Sequence, residues 1–146
     1  MKVPRTNRLD EITEIIIGCA IAIHRKIGPG VLESVYEVLL AHYLVMNGLK
    51  VQRQYAVPIC IDGLEFDEGF RVDLLVEELV PVELKSIHQL NAAHSKVVLA
   101  HLKLMQLPLG LLINFGQETL IAGLKRIVND LDPGDSPTLR VNQSPK

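Results

Sequence analysis

The sequence predicts an α/β domain: one central mixed sheet flanked by helices, in the order α-α-β-β-β-α-β. Three observations lead there. Two long apolar-periodic segments come first, parted by Gly28-Pro29-Gly30. After Gly48 the pattern shifts to Val-, Ile- and Tyr-rich runs divided by Asp62-Gly63 and Glu77-Glu78. A third helical stretch then leads into Leu109 to Phe115, a short continuous apolar run of the kind found in interior strands.

The first helix is expected over Arg8 to Lys26, with Thr6 or Asn7 as cap, Asp10 and Glu11 in its first turn and Arg25 and Lys26 in its last. The second is expected over Val31 to Asn47, stopping at Gly48. It is apolar over much of its circumference (Val31, Leu32, Val35, Val38, Leu39, Leu40, Leu44), which predicts a well-buried helix. Lys50 to Ile61 reads as a strand, placed partly at an edge by Pro58, and Asp62-Gly63 as its hairpin turn. Phe70 to Glu77 and Val80 to Ile87 follow as strands. Asn91 to Met105 is the third helix, ended by Gln106 to Pro108. Gln117 to Val128 is ambiguous, with a last strand at Leu124 to Val128. From Asp130 onward Pro, Gly, Ser and Asp dominate, so residues 1–129 read as one domain and 130–146 as a frayed tail.

Composition narrows the function. The chain has 146 residues, 48% of them hydrophobic, enough to bury roughly 70% of the unfolded surface in one core. The longest apolar stretch, Ile15 to Ile23, is about half of what a bilayer span needs. No basic segment followed by an apolar core opens the chain, and two cysteines do not make a disulfide framework, so a cytoplasmic protein without a membrane partner is expected. A net charge of −2 argues against a non-specific nucleic-acid coat, and the absence of Trp argues against a base-stacking platform.

Eight of the 17 acidic residues fall between Asp62 and Glu83. Most read as a solvated hairpin rim, but Asp73 and Glu83 lie inside strand patterns. Side chains alternate along a strand. Val80, Val82 and Leu84 therefore share one face and Glu83 and Lys85 the other, while Val72, Leu74 and Val76 oppose Arg71, Asp73 and Leu75. Antiparallel pairing across Glu77-Glu78 brings Asp73 and Glu83 together on one face. Two carboxylates about 5 Å apart repel by roughly 3 kcal/mol at an effective dielectric near 20. Either Lys85 compensates them in an ion-pair cluster, or a divalent cation does so and leaves Lys85 free for chemistry.

Gly30-Val31-Leu32-Glu33-Ser34-Val35-Tyr36 carries the motif that names the GxxExxY proteins. Ile27 to Gly30, Arg71 to Val76, Val82 to Lys85 and Leu109 to Phe115 resemble the same family, so that the likeness spans about Arg8 to Val128. That family is similar to the PD-(D/E)XK nuclease superfamily. The resemblance implies a nuclease-like core with Asp73, Glu83 and Lys85 at its catalytic centre, Glu33 as a helix-borne acid completing a metal shell, and the Leu84 carbonyl as a further ligand. Hard oxygen ligands suit Mg²⁺ or Mn²⁺. Lys85 would then position the attacking water, and nucleic acid, DNA more than RNA, would be the substrate. Glu33, Tyr36, Glu37 and Leu40 share a helical stripe. The Tyr36 hydroxyl reaches either a ligand carboxylate or a neighbour in the core, and Glu37 either supports the ligands from behind or is a plain surface acid, the reading the sequence favours.

The third helix departs from the family. Relatives carry Gln there, four residues before a Tyr; here these positions hold Val97 and His101, beside Lys96. His94 and His101 are two turns apart, a spacing that suits a zinc pair as well as two ordinary packed histidines. The sequence thus favours a metal-dependent nuclease. The alternative is a weakened nuclease-like module that binds protein or nucleic acid, and a small regulatory or assembly protein is a third class. A homodimer is expected, because a chain this small has little surface with which to grip a duplex.

Overall fold

The computed structural model describes residues 3–130. Helices α1 (Val3–Ile27) and α2 (Glu33–Met46) precede a long hairpin of β1 (Val51–Ile61) and β2 (Leu64–Val76). Strand β3 (Val80–Lys85), helix α3 (Ala92–Met105) and strand β4 (Leu109–Asn114) form a parallel crossover, and β5 (Leu124–Val128) closes the sheet after a 3₁₀ turn. Strand order is β1-β2-β3-β4-β5, antiparallel at every junction except β3–β4. The α/β order and the mixed sheet are those the sequence predicts.

Each sheet face has its own core. Ile12 and Ile16 of α1 and Leu40 and Leu44 of α2 pack with Leu74, Val76, Val82, Leu84, Leu111 and Ile113. Val98, Leu102 and Met105 of α3 pack with Leu75 and Leu112. Leu111 and Ile113 thus face α1 and α2 while Leu112 faces α3, which is why β4 is apolar throughout and lacks the alternation of a half-exposed strand.

The β1–β2 hairpin does not keep its faces. On β2, Leu74 and Val76 join the core under α1 and α2, but Val72 joins the core under α3, as do Tyr55, Val57 and Ile59 of β1. The predicted grouping of Val72 with Leu74 and Val76 therefore fails. The change of face falls at the level of Gln54 and Asp73. Gln54 has φ +50°, and this left-handed residue twists the ribbon without inserting an extra residue, since the register is continuous from Val51↔Val76 to Val57↔Phe70.

Both hairpin turns run through positive φ. Asp62 (+53°) and Gly63 (+80°) join β1 to β2 in a two-residue turn, the backbone that such turns between twisted strands demand, and Glu77 (+55°) and Glu78 (+56°) join β2 to β3 together with Leu79. β2 begins at Leu64, six residues before its expected start, because the Asp62-Gly63 turn carries pairing straight into it.

Three expectations about the helices change. Helix α1 begins at Val3, so Thr6 and Asn7 lie within it, and Asp10 and Glu11 lie beyond its first turn. Helix α2 is buried along Tyr36, Glu37, Leu40, Ala41 and Leu44 only, and leaves Leu32 (73% exposed), Val35, Val38 and Val45 outside. It packs on one side, so its wide apolar surface exceeds what the sheet and α1 cover. Asn91 caps α3 and lies just outside it. No described helix is long and apolar enough to cross a membrane. The predicted tail, apart from Asp130, lies outside the described residues.

Candidate active site

The β2–β3 ladder runs through Val76↔Val80, Leu75↔Pro81 and Leu74↔Val82, after which β3 continues along β4. Asp73 is the next residue of β2. Its carboxylate takes the place of the ladder: Oδ2 accepts the Leu84 backbone N–H at 2.8 Å. This bond spans the two strands beside Glu83.

Glu83 is partly buried, and its Oε1 has no hydrogen-bond partner. Its Oε2 lies 4.0 Å from Lys85 Nζ, an ion pair at the outer limit of contact. Burial pushes the Glu83 carboxyl up to a pKa of about 7; the negative charge of Asp73 adds to the rise, Lys85 opposes it, and Glu33 and Glu37 contribute smaller increments. Thus Asp73 acts on Glu83 from β2, and Glu33 and Glu37 act on it from α2. A buried carboxylate oxygen without a partner is costly and calls for a proton or a cation.

Glu33 stands in the first turn of α2, a position that suits an acid because backbone N–H groups point that way. Its Oε2 accepts the Ser86 N–H at 3.3 Å, just past the end of β3, and Ser86 Oγ donates to the Val31 carbonyl at 2.7 Å. These contacts tie the entry of α2 to the end of the strand that carries Glu83 and Lys85. Gly28 (φ +67°) and Gly30 (φ +113°) shape that entry in conformations that residues with a Cβ rarely adopt. An open cleft of about 560 Å³ runs beside Glu33, lined by residues 30–34 and Ser86.

Tyr36 belongs to the core. It is fully buried, stacked on Phe115 with ring centroids 4.2 Å apart, and its hydroxyl donates to the Gly28 carbonyl at 2.6 Å, so it engages no carboxylate. It braces the Gly28–Gly30 turn from inside.

Glu37 corrects the sequence reading. It is only 6% exposed, with Oε2 accepting from Arg53 Nε at 3.1 Å and Oε1 from Gln54 Nε2 at 2.7 Å. Gln54 Nε2 also lies 3.3 Å from Asp73 Oδ1. Glu37, Arg53 and Gln54 are thus part of the site's surroundings. A signal for Glu37 existed, since it lies one turn beyond Glu33 on the same stripe. For Gln54 there was none, because its left-handed backbone is invisible in the sequence.

Helix α3 brings no metal ligand pair. His94 Nδ1 accepts the Asn91 backbone N–H at 3.0 Å and so belongs to the helix cap. His101 stacks on Phe70 with centroids 3.9 Å apart, and burial lowers its pKa, which favours the neutral ring. The zinc-pair reading is set aside on these partners. Val97 is 49% exposed, and Lys96 is exposed beside it. Among the described residues no group of three His, Cys, Asp or Glu side chains is gathered closely enough to hold a metal ion as it stands. The donor chemistry nonetheless suits a hard cation, through the unpartnered Glu83 oxygen and the neighbouring acids.

No curated protein and no solved structure matches the chain. A family model described as the PD-(D/E)XK nuclease superfamily matches residues 10–127, a range that takes in α2, Asp73 and the Glu83-x-Lys85 strand. With most of its length matched, the chain belongs to the PD-(D/E)XK nuclease superfamily.

Proposed function

We propose that this chain is a metal-dependent nuclease that hydrolyses phosphodiester bonds of nucleic acid, DNA more than RNA. The observation that carries the reading is the buried, unpartnered Oε1 of Glu83 beside Asp73, in a chain of this superfamily. Glu33, Asp73 and Glu83, with the Leu84 carbonyl, would hold Mg²⁺ or Mn²⁺. When bound, such a cation lowers the pKa of a coordinated water and stabilises charge on the phosphate.

The protein's own groups do the rest. Glu83 holds a proton for part of the time near neutral pH; a bound cation would displace that proton to solvent and would meet the need of Oε1. Leu84 N–H fixes Asp73. Lys85, a cation while protonated and so no ligand, orients the attacking water and offsets phosphate charge. The exposed valines of α2 support a second copy of the chain as partner. The unpaired Cys19 and Cys60 support a reducing, cytoplasmic setting.

The half-exposed Val97 favours a second reading, a weakened nuclease-like module that binds a partner, since valine offers a phosphate or water no hydrogen bond. A cleavage screen with Mn²⁺ against single- and double-stranded DNA and RNA decides between them. Cleavage lost in Asp73→Ala supports the nuclease. Metal binding without cleavage of any substrate supports the module.

A further inference from the structure

Gln54 adopts φ +50° on β1, a conformation that costs a residue with a Cβ. The strand pairing does not require it, for the register passes from Arg53↔Leu74 to Tyr55↔Val72 without an inserted residue. Besides turning the ribbon, the conformation accompanies a reach of the side chain to two acids. The carboxamide nitrogen lies 2.7 Å from Glu37 Oε1 and 3.3 Å from Asp73 Oδ1. An amide nitrogen has two hydrogens, one for each carboxylate. The Gln54 carbonyl oxygen of the main chain accepts from Arg71 Nη1 at 3.2 Å, which braces the turned peptide.

We propose that Gln54 is a positioning residue that fixes the carboxylate plane of Asp73, with Glu37 as its anchor on α2. This rests on the reading of Asp73 as a metal ligand. The Leu84 N–H holds only Oδ2. A carboxylate held by one oxygen still turns about its last torsion, which is broad and roughly two-fold. The second donor, on Oδ1, stops that rotation. Gln54 must itself be held, and Glu37 does this. Glu37 is buried, and Arg53 takes its other oxygen at 3.1 Å, so it has little freedom to release the amide. The neighbouring acids therefore divide the work. Glu37 has both oxygens committed within the protein, Asp73 is aimed, and Glu83 keeps one oxygen without a partner.

Two variants test the assignment. Gln54→Gly deletes the amide and adopts the left-handed backbone without steric strain, so the turned strand is kept. Gln54→Met keeps the length and loses the donor. For each, Mn²⁺ affinity is measured by calorimetry and melting temperature by scanning calorimetry; the metal-free Gln54→Gly protein is also crystallised. The expected result is a single cooperative melting transition for Gln54→Gly, lowered because Glu37 Oε1 loses its donor, an Mn²⁺ Kd raised about ten-fold or more in each folded variant, as for other groups that orient a ligand, and an Asp73 carboxylate turned from its present plane. A wild-type Kd in either folded variant, or an unmoved Asp73, overturns the proposal. If wild type itself binds no Mn²⁺ at millimolar metal, the metal reading fails separately, and the crystal structure alone decides: a turned Asp73 sustains the positioning role and an unmoved one ends it.

Discussion

Asp73 Oδ2 accepts the Leu84 N–H at 2.8 Å at the point where β2 and β3 cease to pair. A side chain thus continues what the backbone ladder began, and it does so beside a glutamate with a buried, unpartnered oxygen. The metal prediction starts there. Wild type should bind Mg²⁺ or Mn²⁺ by calorimetry and gain thermal stability on binding, because the ion binds only the folded state. Asp73→Ala should do neither. Equal binding by both proteins, or none by wild type at millimolar metal, would leave the acids as an ion-pair cluster with Lys85.

Glu83 predicts a pH dependence of the metal-free protein. Its folded pKa of about 7 lies above the ordinary value of 4.5, so the folded state binds the proton more tightly than the unfolded one. The resulting stability is fully present below pH 4.5 and is lost as pH rises through 7. The shift corresponds to about 3 kcal/mol. Urea unfolding without metal should therefore show wild type losing stability relative to Glu83→Gln between these values. Parallel pH profiles for the two proteins would refute the raised pKa.

Lys85 should serve chemistry rather than metal binding. Its ammonium lies 4.0 Å from Glu83 Oε2 and competes with a cation for that oxygen. Lys85→Met should keep or strengthen Mn²⁺ binding while single-turnover cleavage falls by orders of magnitude. Cleavage at the wild-type rate would remove Lys85 from the mechanism.

Val97 bears on rate. Gln at this position could donate to and accept from water or phosphate, and one preorganised hydrogen bond of this kind is worth a factor of roughly 10² to 10³. Val97→Gln should cleave faster than wild type at similar metal affinity. Lys96→Ala is the control: a loss there, with no gain in Val97→Gln, would show that Lys96 performs the task. No cleavage by wild type or either variant with metal bound would favour the binding module.

Tyr36→Phe should separate structure from chemistry. It removes the hydroxyl that donates to Gly28 O and should cost about 1–3 kcal/mol in urea unfolding, since it leaves a part-buried acceptor without its donor. Mn²⁺ affinity should be unchanged. A large loss of affinity at wild-type stability would return Tyr36 to the metal site.

Local patterning determined most of the fold. Gly28-Pro29-Gly30, Asp62-Gly63 and Gln106 to Pro108 end elements by backbone chemistry that acts over a few residues, so the breaks they mark were legible in the sequence. Alternation along Val80 to Lys85 placed Glu83 and Lys85 opposite the face of Val82 and Leu84, because period two is a property of the strand itself. Alternation misled at Val72, where a non-glycine residue on the neighbouring strand adopts a left-handed conformation and the ribbon changes face. The burial of Glu37 was equally hidden. A carboxylate goes inside only when donors await it, and its donors, Arg53 and Gln54, lie 16 and 17 residues away on β1. The acids that gather around Glu83 of β3 come from α2 and β2, and only the packing of helix on sheet decided that they meet.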